Sequence, residues 1–264
     1  MEAIENQKKG ISGSTLKLIA ITTMFIDHVG AGVLGRYLRM YGLIDIMASG
    51  DMSGMLAWMQ EHGALYWVYY AMRMIGRIAF PIFVFLMVEG FQRTHNKWKY
   101  ALRMGIFALV SEIPFDLTFN AKVLELTYQN VFFTLLVGLL VMIAMDAIGK
   151  TGWNKVGRVL LSILAFLAGA FVAQAVLHTD YGAMGIVCIT AVYLFRKNKV
   201  HQIVAGCIAF AWEIWAPLAF VPIGFYNGKR GLKLKYVFYA FYPAHLLLIY
   251  LICLLLGING YASA

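Results

Sequence analysis

The chain has 264 residues, 61% of them hydrophobic and only 13% charged, with a mean hydropathy of +0.73. A soluble domain carries about 25% charged residues, so a soluble globular enzyme is excluded. Repeated apolar stretches near the roughly 20-residue spanning length instead predict an all-α, polytopic transmembrane bundle. The formal charge of +9 reads as basic cytoplasmic loops rather than nucleic-acid binding.

Eight membrane segments are predicted, at about 15–35, 70–92, 100–120, 130–149, 157–177, 181–196, 203–226 and 236–257. They form a single membrane domain over 1–264, and the first reads as a retained helix rather than a signal peptide. The short alternating segments of a β-barrel are missing. Cys188, Cys207 and Cys253 sit in apolar surroundings without CxxC or zinc spacing, so neither a disulfide nor a metal is expected.

Basic residues cluster at Lys8, Lys9 and Lys17, then at Arg93, Lys97, Lys99 and Arg103. Two more groups follow at Lys150, Lys155 and Arg158, and at Arg196, Lys197 and Lys199. They fall after every second segment and predict a cytoplasmic N-terminus. The seventh segment breaks this alternation, because Lys229, Arg230, Lys233 and Lys235 follow it. It contains Glu213, Pro217 and Pro222, and two halves of a dozen residues are too short to span. A broken or re-entrant segment would return the basic loop to the cytoplasm; an intact span would leave it outside. Residues 36–70 are expected as a non-cytoplasmic excursion, either an interfacial lid or an extended helix with a connecting loop.

An ionisable side chain at membrane depth costs about 2.5–3.5 kcal/mol on insertion scales and marks a candidate site. Asp27, His28, Arg77, Glu89, Glu112, Asp116, Glu213 and His245 are such residues. Eleven helical steps separate Lys17 from His28, about 16 Å and close to three full turns, so the two share one face. Asp27 lies about 100° from His28 and is expected to pair with another helix, through Arg77. A cation at the cytoplasmic edge aligned with an imidazole halfway across suits a donor with a phosphate-rich head and a long arm, such as an acyl-coenzyme A. Proton-coupled transport through the buried carboxylates, ion conduction and mutual structural pairing stay open at this point.

The blocks LKLIAITTMFIDHVG (16–30), GRIAFPIFVFLMVEGF (76–91), ALVSEIPFDL (108–117), QNVFFTLLVGLL (129–140), DYGAMGI (180–186) and YNGKRGLKLKYVFYAFYPAHLLLIYL (226–251) resemble, in order, the motifs of the TraX family. These are bacterial integral membrane proteins named for a factor that N-acetylates the N-terminus of conjugative pilin. More distantly, the first block is similar to the first helix of bacterial membrane O-acyltransferases, with Lys17 in the place of an arginine. The second block is similar to one in lysosomal heparan-α-glucosaminide N-acetyltransferase. The resemblance implies acetyl transfer from cytosolic acetyl-CoA to an amine or hydroxyl, on a pilin-like peptide, a glycan or a small molecule. His28 would act as base or acetyl relay, supported by Asp27.

Lys17, Arg77, Arg93, Lys229 and Arg230 are candidate contacts to the CoA head, weighed against ion pairing and positive-inside anchoring. Lys17 keeps the charge of an arginine but not its bidentate geometry. Glu89, Glu112 and Asp116 are expected to satisfy Arg77, Arg93 or Arg103. Asn130 and Tyr181 open the fourth and sixth segments as capping candidates. His245 is divided between an active-site role and a hydrogen bond to a neighbouring helix.

Overall fold

Short polar side chains set half of the helix starts by accepting from otherwise orphaned backbone N–H groups. The computed structural model describes residues 10–232 and 235–262, with the side chains of Lys235 and Tyr236 excepted. Lys8, Lys9, Lys233 and the Lys235 side chain, counted above among the basic clusters, therefore lie outside the described residues. Ser12 caps α1 (Gly13–Val29), Asp51 caps α4 (Met52–Gly76) and Asn96 caps α6 (Lys97–Phe119). Asn130, Asn154 and Asn198 cap α7 (Val131–Gly149), α8 (Lys155–Phe171) and α10 (Lys199–Ala209). The remaining helices are α2 (Gly35–Met40), α3 (Leu43–Ser49), α5 (Ala79–Arg93), α9 (Gly182–Leu194), α11 (Phe220–Gly224) and α12 (Lys235–Leu255).

Two π-turns interrupt the ladder without ending it, one at Gly30–Leu34 between α1 and α2 and one at Val172–Val176 after α8. Helix α4 runs into α5 through a break at Arg77 and Ile78, whose N–H groups reach back only three residues. Pro81 explains the break, since it has no N–H to give the Arg77 carbonyl.

Among the described residues five helical stretches are long and apolar enough to cross a bilayer: Gly13–Met40, Met52–Arg93, Val131–Gly149, Lys155–Val176 and Val237–Leu255. Of the other three predicted segments, α6 is long but more charged, and α9 has only 13 residues, about 20 Å. The seventh is a hairpin. α10 stops at Ala209, the chain turns through Glu213, and a short 3-10 turn (Ala216–Ala219) and α11 bring it back. Its two feet touch, because the Lys199 ammonium donates to the carbonyls of Gly224 (2.6 Å) and Tyr226 (2.8 Å). A Cβ on Gly206 would overlap the Phe220 ring, so only glycine lets the two legs lie this close.

The core joins α1, α5, α6, α7, α9, α12 and the hairpin, with Leu16, Ile82, Leu139, Ile189, Ile223 and Leu246 fully buried. α1 packs on α4, α5 and α12, and α12 packs most extensively on α6. Residues 36–70 form α2, α3 and most of α4. Stretch 52–93 would be about 63 Å long if straight, twice the hydrocarbon thickness. Its distal part is held by aromatic packing: Trp58 donates to the Tyr41 carbonyl (2.7 Å) and Tyr41 stacks on His62.

Candidate functional site

His28 and His245 come from helices separated by 217 residues in sequence and meet through their ring nitrogens. His28 Nδ1 lies 2.7 Å from His245 Nε2, and His245 Nδ1 lies 2.7 Å from the carbonyl of Phe241, one turn earlier on α12. The two rings are nearly parallel, 7° apart. Phe119 and Tyr242 set their edges against His28, and Phe25 and Phe241 pack on His245. His245 is buried, with 4% of its surface exposed. The histidine of the YPAHL block is thus a direct partner of His28.

Asp27 points away from this pair, as the helical angle requires. Its partner is Arg73 (2.9 Å), not the expected Arg77, which pairs with Glu213 at the hairpin tip (3.1 Å). Arg73 and Arg77 are one turn apart on the same side of α4, so either satisfies the angular argument; the close approach of α1 to α4 at Gly76 selects Arg73. A Cβ on Gly76 would overlap the Asp27 side chain. Each pair leaves one carboxylate oxygen, Asp27 Oδ1 and Glu213 Oε2, buried without a hydrogen-bond partner among the described residues. Asp180 accepts from the Tyr128 hydroxyl nearby.

A cavity of about 430 Å³ opens at the end of the bundle that holds the start of α1. Lys17, Arg93, Arg103 and Arg230 line it with Glu89, while Phe83, Phe132, Leu135 and Tyr239 form apolar walls. The size falls within the range of about 300–1,000 Å³ usual for ligand pockets. Arg93 is paired with Glu89 (2.9 Å), Lys17 lies over the Phe238 ring, and Arg103 Nε has no hydrogen-bond partner among the described residues. Phe132 links the cavity to the histidines, since its ring meets Tyr242, which packs on both imidazoles.

Three of the five predicted head-group contacts, Lys17, Arg93 and Arg230, therefore share one cavity. Arg77 does not join them, being held at the hairpin tip. Lys229 does not line the cavity either; its carbonyl accepts from Gly13 N–H (2.8 Å), as that of Arg230 does from Ser14 N–H (2.9 Å). These carbonyls serve N–H groups at the start of α1 that have no partner within the helix. Glu89 does satisfy Arg93, but Glu112 and Asp116 satisfy no arginine. Glu112 accepts from Asn130, which also donates to the Ala108 carbonyl and caps α7. Asp116 accepts from the Asn120 side chain (2.9 Å) and the Glu125 N–H (2.7 Å), organising the loop after α6. Tyr181 caps nothing with its side chain; its ring stacks on Phe80 at 3.6 Å.

Sequence reasoning passed over Arg73, Arg103 as a cavity residue, and the aromatic wall of Phe132, Tyr239 and Tyr242. Arg103 carried a usable signal, standing six residues into a helix whose start is basic. Arg73 carried a signal too, at one turn from Arg77.

The TraX protein family model matches residues 12–253. The chain is also similar to "Probable fimbrial assembly protein FimC, serogroup H1" from Dichelobacter nodosus, at 28% identity over 214 residues, covering 69% of this chain and 83% of that protein. No solved structure matches. The family match begins at Ser12, the cap of α1, and ends at Cys253 in α12. It takes in the histidine pair, the three arginine–carboxylate pairs and the whole cavity lining: the chain belongs to the TraX protein family.

Proposed function

We propose that this membrane protein is an acetyltransferase that moves acetyl from cytosolic acetyl-CoA to an amine or hydroxyl of an acceptor at or beyond the bacterial cytoplasmic membrane. The observation that carries the reading is the cavity in which Lys17, Arg93, Arg103 and Arg230 converge over apolar walls, with Phe132 and Tyr242 between it and His28. The cations suit the phosphates of the CoA head, and the apolar walls suit its arm. In this reading the N-terminus and the feet of the hairpin face the cytoplasm.

His28 takes the proton of the acceptor N–H or O–H as the acceptor atom bonds to the acetyl carbonyl carbon. The carbon–sulfur bond breaks, and the sulfur leaves with its electron pair as CoA thiolate. A general base of this kind is worth about 10²–10⁴-fold. Asp27 supports by tying α1 to α4 rather than by touching the imidazole. A relative named as a fimbrial assembly protein makes a pilin-like peptide the first acceptor to try, before glycans and small molecules.

The deciding measurement is single-turnover consumption of acetyl-CoA by purified protein in lipid, wild type against His28→Ala. The variant is expected to lose at least a hundredfold; an unchanged rate removes His28 from the chemistry. Proton-coupled solute uptake by proteoliposomes lacking acetyl-CoA would favour a transporter instead. The engagement of Asp27, Glu112, Asp116 and Glu213 by fixed partners speaks against that reading.

A further inference from the structure

The chain of contacts through the histidine pair has a direction that its end point dictates. A carbonyl oxygen only accepts, so the 2.7 Å contact to Phe241 requires the proton of His245 on Nδ1. A neutral imidazole carries one N–H, which leaves His245 Nε2 as an acceptor. The 2.7 Å contact between the rings then requires the proton of His28 on Nδ1. Among the described residues no carboxylate bonds either ring, and Phe25, Phe119, Phe241 and Tyr242 surround the pair. Such a setting suits two neutral rings better than an unpaired cation.

We infer that His245 is a positioning residue which, anchored on the Phe241 carbonyl, fixes His28 in the Nδ1–H tautomer and leaves His28 Nε2 as the bare, proton-accepting nitrogen. Its own nitrogens are both committed, Nδ1 to Phe241 and Nε2 to His28, so it touches no reacting atom. The backbone supplies the orientation that a carboxylate supplies to many basic histidines. Asp27 does not compete for that task, because Arg73 holds it on another face of α1. The tautomer follows from the contacts alone; only its consequence for turnover rests on the acetyl-transfer reading.

The test is nitrogen NMR on the full-length protein in lipid, with 15N in its six histidines and the His28 signals identified by their loss in His28→Asn. Wild type is expected to show a pyrrole-type Nδ1 and a pyridine-type Nε2 for His28. In His245→Phe, which keeps aromatic bulk but no acceptor, that pattern is expected to reverse or mix. Turnover should then fall about 10²–10⁴-fold in kcat, as in sites where the wrong tautomer is held, with KM for acetyl-CoA unchanged. His245→Gln, whose amide oxygen can take the place of Nε2 as acceptor, is expected to restore both. A protonated Nε2 on His28 in wild type overturns the inference, as does an unaltered pattern in His245→Phe. If His245→Phe fails to fold, wild type and His245→Gln decide by the same signals. The inferred tautomer in a protein that never consumes acetyl-CoA would refute the acetyl-transfer reading and leave the positioning role intact.

Discussion

Gly32→Ala places one methyl group where three helices converge, one turn beyond the histidine pair. The new Cβ would lie 2.7 Å from Ile249 Cγ2 on α12 and 3.1 Å from Thr118 Cγ2 on α6, against ordinary contact at 3.4 Å and beyond. Relief therefore needs about 0.7 Å at Ile249 and 0.3 Å at Thr118. Neither side yields easily: Ile249 and Thr118 are fully buried, and the Thr118 hydroxyl is fastened to the carbonyls of Pro114 (2.7 Å) and Leu246 (2.9 Å). Overpacking of this kind costs about 1–3 kcal/mol. Gly32 follows His28 by four residues, as Ile249 follows His245, so a shift of α12 that clears the methyl carries His245 with it. Passed on in full, it stretches the 2.7 Å link between the rings to about 3.4 Å, the weak edge of hydrogen-bond range. The assays are denaturant unfolding in micelles and acetyl-CoA turnover, with Gly63→Ala as control, where a Cβ meets only Met59 Cε at 3.6 Å. Ile249→Ala removes the clashing methyl, so the double variant should lose less than the sum of the single losses. Stability and turnover equal to the Gly63→Ala control, or additive losses in the double variant, would refute this account of the helix junction.

Three further outcomes test other parts of the molecule. Arg36→Met removes a fully buried guanidinium that donates to the carbonyls of Leu117 and Thr118 (2.7 Å each) and of Ile258 (3.4 Å). It should cost about 2–5 kcal/mol and speed amide exchange in the segment around Ile258. Arg103→Ala and Arg230→Ala should each raise KM for acetyl-CoA about tenfold or more, as expected for a lost charged contact, while Lys229→Ala should leave it unchanged; equal effects would dissolve the cavity as a head-group site. Single cysteines at Asn198 and Gly228, beside the two feet of the hairpin, should react with an impermeant thiol reagent from one and the same side of the membrane. Labelling from opposite sides would contradict the fold-back.

Much of the frame could be read from composition and spacing because membranes punish exceptions. The apolar runs around Leu16, Leu139 and Leu246 mark helices whatever their neighbours, and Asn130 announces a helix start by its own chemistry. Pro217 and Pro222 beside Glu213 marked the broken seventh segment for the same local reason. Pairing across helices is a different matter. Asp27 had two cations one turn apart to choose from, and the choice was made by Gly76, whose missing side chain lets α4 approach. His28 reads as a candidate base and His245 as either an active-site residue or a bond to a neighbouring helix, and nothing local says that helices 217 residues apart set them nitrogen to nitrogen. Glu112 looked like a partner for arginine, yet Asn130 reached it first from the next helix. The site was legible as a set of residue types and depths, and illegible as a set of partners.

The π-turn at Gly30–Leu34 acts as a phase corrector between two fixed appointments. Eight ordinary helical steps from His28 would turn Arg36 by about 80°; absorbing one residue in the wide turn brings it back to within about 20° of His28. One continuous helix thus presents an imidazole to the middle of α12 and, about two turns further on, a guanidinium to the end of α6 and the Ile258 carbonyl beyond α12. Deleting a single residue inside the turn would preserve both facings, whereas deleting one on either side of it would swing one of them out of register. Tolerance to one-residue gaps along the first helix should therefore be confined to those five positions.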